Sequence, residues 1–156
     1  MAVSSNAALS SFIEALSGFC RRELAAVESY RQALSSLPPG PQTNVLATCL
    51  RSHEERAEFF KSRIRSLHAE PPTSAGVLGA VVKMLEGAAA AISPRIAIAT
   101  LQEEEERLLR HYRTHLLDAD VESQQLMQER VIPAQFDTHR LLSDLRQRGQ
   151  LAAPGP

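Results

Sequence analysis

Apolar residues at Leu9, Phe12, Ile13, Leu16, Phe19, Val27, Tyr30 and Leu34 fall at spacings that place them on one face of a helix. Ser4, Ser5 or Asn6 is positioned to cap that helix, and the run PPGP at 38–41 ends it, which predicts a helix over about 5–36. From Thr43 the series Leu46, Leu50, His53, Ala57, Phe60, Ile64 and Leu67 alternates steps of four and three until EPPTS breaks it, so a second helix is expected over about 43–69. Residues 76–92 read as a shorter apolar helix. Ser93 and Pro94 then supply an N-cap and a first-turn proline for a helix over about 94–118. After the break at DAD, a last helix runs over about 121–148 with Pro133 inside it, and 149–156 reads as a disordered tail.

Very short links join the first helix to the second and the third to the fourth, so each pair is an antiparallel hairpin. About 24 residues separate the two hairpins. Their internal helix spans about 25 Å at 1.5 Å per residue, enough to return along a bundle, so the second and third helices are expected to run parallel. The pattern therefore predicts an all-α four-helix bundle in a single domain, 1–148, with a helical crossover over about 76–92.

Composition narrows the partners. The chain has 156 residues, 44% of them hydrophobic, enough for one sizeable core. Its 17 basic and 18 acidic residues are mixed along the sequence, so no basic face suited to nucleic acid stands out. No apolar run is long enough to cross a membrane, and no cationic segment precedes the first apolar residues, which points to a cytoplasmic protein. Cys20 and Cys49 sit in different parts of their helices and are expected to be free thiols.

The chemistry is concentrated in one echo. Residues 23–34 read ELAAVESYRQAL and residues 105–116 read EERLLRHYRTHL, so Glu, Tyr, Arg and Leu recur at the same four offsets. Glu23 lies in the heptad series Leu9, Leu16, Glu23, Tyr30, Leu37, and Glu105 in Ile98, Glu105, Tyr112, Ala119. Both carboxylates therefore belong to buried stripes, where an isolated charge is costly and must be paired, metal-bound or neutralised. Each lies 14 residues before its hairpin link, which places both at a common height. Tyr30 and Tyr112, two turns on, are expected to fill the core while their hydroxyls reach a partner. Within the run Glu103–Glu106 only Glu105 faces the stripe, so its neighbours read as a solvated face. His53, among apolar neighbours, reads as a neutral core histidine bonded to a facing glutamate. His139, Gln135 and Asp137 are the polar groups of the fourth helix.

Four segments, AVESYRQAL, ERAEFFKSRIRSL, EPPTSAGVLGAV and THRLLSDLR, together resemble the ferritin-like superfamily, nearest to a bacterial ferritin-like family of unknown function, over residues 9 to about 147. That resemblance implies a ferritin-like four-helix bundle with a crossover between helices two and three, often holding two metal ions in its centre. The superfamily takes one Glu from each of helices one and three, matched by Glu23 and Glu105, and a Glu-x-x-His from each of helices two and four. Helix two offers His53, Glu54 and Glu58 in RSHEERAEFF; helix four offers His139, with Phe136 three residues before it. The implied centre would bind iron or manganese through Glu23, Glu105, His53, Glu54, Glu58 and His139, and any enzyme built on it would be a metal-dependent oxidoreductase. The other reading is a metal-free bundle, a stress-associated scaffold or a homo-oligomer, with Phe59, Ile132 and Phe136 available for a helix-on-helix contact. If the glutamates are only a buried polar pair, replacing both by leucine should be neutral or stabilising.

Overall fold

In a computed structural model, residues 2–76 and 93–151 are described, and all regular structure among them is helical. Helix α1 spans Ala2–Ser36, α2 Pro41–Ser66 and α3 Pro94–His115. A 3-10 turn at Leu116–Asp118 leads to α4, Val121–Leu126, which continues through a π turn, Met127–Val131, into α5, Ile132–Leu151. The last three together form the fourth long rod of the bundle. Of the crossover helix expected over 76–92, residues 77–92 lie outside the described residues, as do 152–156 of the expected tail, whose residues 149–151 instead form the end of α5.

The helix ends follow from local chemistry. Pro41 opens α2 behind Gly40, whose N–H donates to Thr43 Oγ1 at 2.9 Å. α2 closes in a Schellman motif: His68 N–H donates to the Arg65 carbonyl and Ala69 N–H to that of Ile64, with His68 in the left-handed region at φ 59°. Ser93 caps α3 by accepting from Ile96 N–H, with Pro94 at the first helical position. Asp120 caps α4 through Ser123 N–H at 3.1 Å, and Arg63 of α2 holds the same carboxylate at 2.9 Å. α1 begins ahead of the capping residues expected for it, and none of residues 5–15 is buried. Leu9, assigned to the buried stripe by its heptad position, is exposed, and among the described residues neither apolar core cluster reaches the first turns of α1.

Two apolar clusters fix the topology. One end of the bundle joins Leu16 and Phe19 from early α1, Phe60 and Ile64 from late α2, Leu108 and Tyr112 from late α3, and Met127 and Val131 from the start of the fourth rod. The other end joins Tyr30 and Leu37 from late α1, Leu46 and Cys49 from early α2, Ala97 and Leu101 from early α3, and Leu142 from late α5. α1 and α2 are thus antiparallel, and α2 and α3 run the same way, so α2 ends and α3 begins at opposite ends of the bundle. Helices in contact are α1 with α2, α2 with α5, α5 with α3 and α3 with α1, a ring in which every neighbouring pair is antiparallel. Among the described residues no helix is long and apolar enough to cross a membrane.

The π turn sets the register of the fourth rod. Its buried residues are Ser123, Met127, Val131, Gln135, Thr138 and Leu142, a sequence of three steps of four before a three. In an α-helix each step of four overshoots the stripe by about 40°, so three in a row would carry Gln135 well off the core face. The wider i→i+5 turn at Met127–Val131 takes up one extra residue and brings Gln135 and Thr138 back to it. Pro133, which has no N–H to bond the turn before it, lies just beyond.

Candidate functional site

Between the two apolar clusters lies a layer of buried polar side chains: Glu23, His53, Arg56, Glu105, Gln135 and Thr138, with the hydroxyls of Tyr30 and Tyr112. α1 and α3 are antiparallel, and this explains the repeated Glu-x6-Tyr. A spacing of seven residues puts the tyrosine of one copy level with the glutamate of the other. Tyr30 donates to Glu105 Oε1 at 2.6 Å, and Tyr112 donates to Glu23 Oε1. The glutamates do not face one another directly, as a common height had suggested. The His53 ring from α2 stands between them, Nδ1 at 2.7 Å from Glu23 Oε2 and Nε2 at 2.7 Å from Glu105 Oε1.

Arg56, one turn along α2, supplies the remaining cation. Its Nε donates to Glu23 Oε1 at 2.8 Å, Nη1 to Ser52 Oγ at 2.8 Å and Nη2 to Gln135 Oε1 at 2.9 Å. Gln135 passes the connection on by donating from Nε2 to Glu105 Oε2, where Thr138 Oγ1 also donates at 2.8 Å. Glu105 thus accepts four hydrogen bonds, the capacity of a carboxylate, and Glu23 accepts three.

The protonation states follow from the charges. Glu23 and Glu105 carry two negative charges and Arg56 one positive, so the layer is neutral when His53 is an imidazolium donating from both nitrogens. Burial works against every charge, but the partners outweigh it. Glu105, with the His53 cation and the donors His53, Tyr30 and Thr138, is brought down to about 2. Glu23 is lowered by Arg56 and His53 in spite of its complete burial. His53 is raised above its usual value by Glu105 and Glu23, against burial and against the Arg56 guanidinium, whose Nη2 lies 2.7 Å from Nδ1. His53 thus meets two carboxylates rather than the single glutamate partner expected from its apolar neighbours, and both favour its charged form.

The other residues assigned to a metal centre are elsewhere. Glu54 turns outward to Arg31 at 2.6 Å, and Glu58 to Arg65 at 3.0 Å. His139 sits at the periphery, 3.8 Å from Glu106. The register shift at the π turn carries Gln135 and Thr138 inward in its place. Tested against the resident ions of the ferritin-like pattern, this donor set does not fit. The ligand oxygens of Glu23 and Glu105 are already taken by hydrogen-bond donors, and a guanidinium lies against Glu23 where a second metal cation would have to neutralise it. Among the described residues no group of three or more His, Cys, Asp or Glu side chains is arranged to hold a metal ion.

Arg56 was the residue sequence reasoning missed. It follows His53 by three positions and so shares its face, and two carboxylates on buried stripes call for a cation beside the histidine. Glu104 was misassigned to a solvated face: it is half-buried, and its Oε1 is enclosed with no hydrogen-bond partner. Cys20 and Cys49 are free thiols in opposite clusters, pushed up by burial to about 11 and about 12. Of the three apolar residues offered for a contact between copies, Phe59 packs on Phe60 and Ile132 on the core, while Phe136 is exposed beneath Arg113. No family model, curated protein or solved structure matches this chain.

Proposed function

We propose that this chain is a ferritin-like bundle that works without a metal, as a binding or interaction module in which an arginine and a histidine have taken the place of a dinuclear centre. The observation that carries this reading is Arg56, buried and donating to Glu23 inside a layer whose charges sum to zero with His53 protonated. A cation bound to the same carboxylates would need Arg56 expelled and several hydrogen bonds broken at once. The parallel run of α2 and α3 supports the ferritin-like assignment, as does the paired Glu-x6-Tyr. On this reading the role of the layer is to hold four helices in one register.

Elemental analysis tests this on protein purified without chelators. Substoichiometric iron and manganese, and a melting temperature unchanged by EDTA or by added Mn2+, are the expected results. One or two equivalents of either ion that broaden or shift the His53 ring signals would overturn the reading and restore the metalloprotein one.

A further inference from the structure

The polar layer is not sealed on every side. A cleft of about 90 Å³ opens between α1 and α3, and its floor reaches His53, Tyr30 and Glu105. It exists because α1 presents Ala25, Ala26 and Ser29 to α3, small side chains that leave room where a leucine would fill it. Glu104 borders the cleft from α3, its carboxyl pushed above the ordinary carboxylate range by burial, despite the Ser29 hydroxyl beside it, and its Oε1 is enclosed without a donor. Arg22 and the exposed Arg107, whose Nη2 also donates to Glu103 at 3.3 Å, complete its lining.

A buried carboxylate oxygen with no partner calls for a donor, preferably a charged one. The protein supplies donors to every oxygen of Glu23 and Glu105, yet none to this one. With the polar layer beneath it balanced, the Glu104 carboxyl and the guanidinium groups of Arg22 and Arg107 set the polarity of the cleft, and they match a molecule with an amine and a carboxylate. At about 30 Å³ per water the volume holds roughly three waters, so the group entering it has only a few heavy atoms. We propose that the cleft between α1 and α3 is a binding site for a compact zwitterion, its protonated amine seated against Glu104 Oε1 and its carboxylate held at the rim by Arg22 and Arg107. The site adds a ligand class to the binding role above, but its geometry stands whether or not the polar layer ever holds a metal.

Calorimetric titration of the full chain with glycine, β-alanine and 4-aminobutanoate, with propylamine and propanoate as single-charge probes, tests this. At least one amino acid is expected to bind about tenfold or more tightly than either single-charge probe. Glu104→Gln, and Arg22→Ala with Arg107→Ala, should each weaken it by about tenfold or more, and the ligand should shift the ring signals of His53. Ala25→Leu narrows the cleft without removing a charge and should abolish binding, so it decides the matter even if Glu104→Gln does not fold. No saturable binding up to about 10 mM, equal binding of amine or acid alone, or an affinity indifferent to Ala25→Leu would each overturn the proposal.

Discussion

Glu23 and Glu105 exchange water for protein donors on folding, and the identity of those donors decides how each responds to substitution. Replacing both by leucine is no longer expected to be neutral, because Arg56 and the His53 cation would be stranded in the core. The double variant should lose about 3–5 kcal/mol in denaturant unfolding, as should Arg56→Met alone, which leaves Glu23 uncompensated. Replacing Glu23, His53, Arg56, Glu105, Gln135 and Thr138 together by apolar residues, with Tyr30→Phe and Tyr112→Phe, should recover most of that loss, because neither a charge nor a buried polar group is then left without its partner. A fully apolar variant as unstable as Arg56→Met would refute the charge balance. The pH dependence has two flanks. Glu105 is held at about 2, below its usual 4.5, so its contribution is present above about 4.5 and lost as pH falls toward about 2. His53 is raised above 6.5, so its contribution is complete below 6.5 and lost as pH rises through its folded value. Stability measured by urea unfolding should therefore peak between the two, and His53→Gln should flatten the alkaline flank.

At the level of elements, the fourth rod makes the sharpest prediction. Its buried positions step 4, 4, 4, 3, 4, and the π turn absorbs the extra residue. Deleting the exposed Glu129 would restore steps of 4, 3, 4, 3, 4, so the rod could run as a continuous α-helix with Gln135, Thr138 and Leu142 still facing inward. That deletion should change stability by less than about 1 kcal/mol. Deleting the equally exposed Arg140 rotates Leu142 by about 100° off the core and should cost about 2–5 kcal/mol, as a buried leucine lost from packing does. Comparable melting temperatures for the two deletions would contradict the role assigned to the π turn. The start of the same rod depends on Asp120, which caps it and binds Arg63, so Asp120→Ala should cost about 0.5–2 kcal/mol.

For the whole molecule, burial at opposite ends keeps Cys20 and Cys49 from reaching each other or solvent. Their labelling by a thiol reagent should follow global unfolding, with no Cys20–Cys49 disulfide formed under oxidation; fast labelling of either in native conditions would show that its end of the bundle opens locally. The helices, their links and the need for a long return between hairpins were legible in the chain, because apolar periodicity, prolines and caps act over a few residues. So was the burial of Glu23, Glu105, Tyr30 and Tyr112, since heptad position is a local property. Which group satisfies each buried charge was decided only in three dimensions. The antiparallel run of α1 against α3 crosses the two Glu-Tyr pairs, the hairpin brings His53 and Arg56 of α2 against them, and the π turn swings Gln135 inward while leaving His139 at the edge. A sequence stripe specifies the direction a side chain takes from its own helix axis. The partner it meets depends on the heights and rotations of the neighbouring helices, and those are set by packing across the whole core.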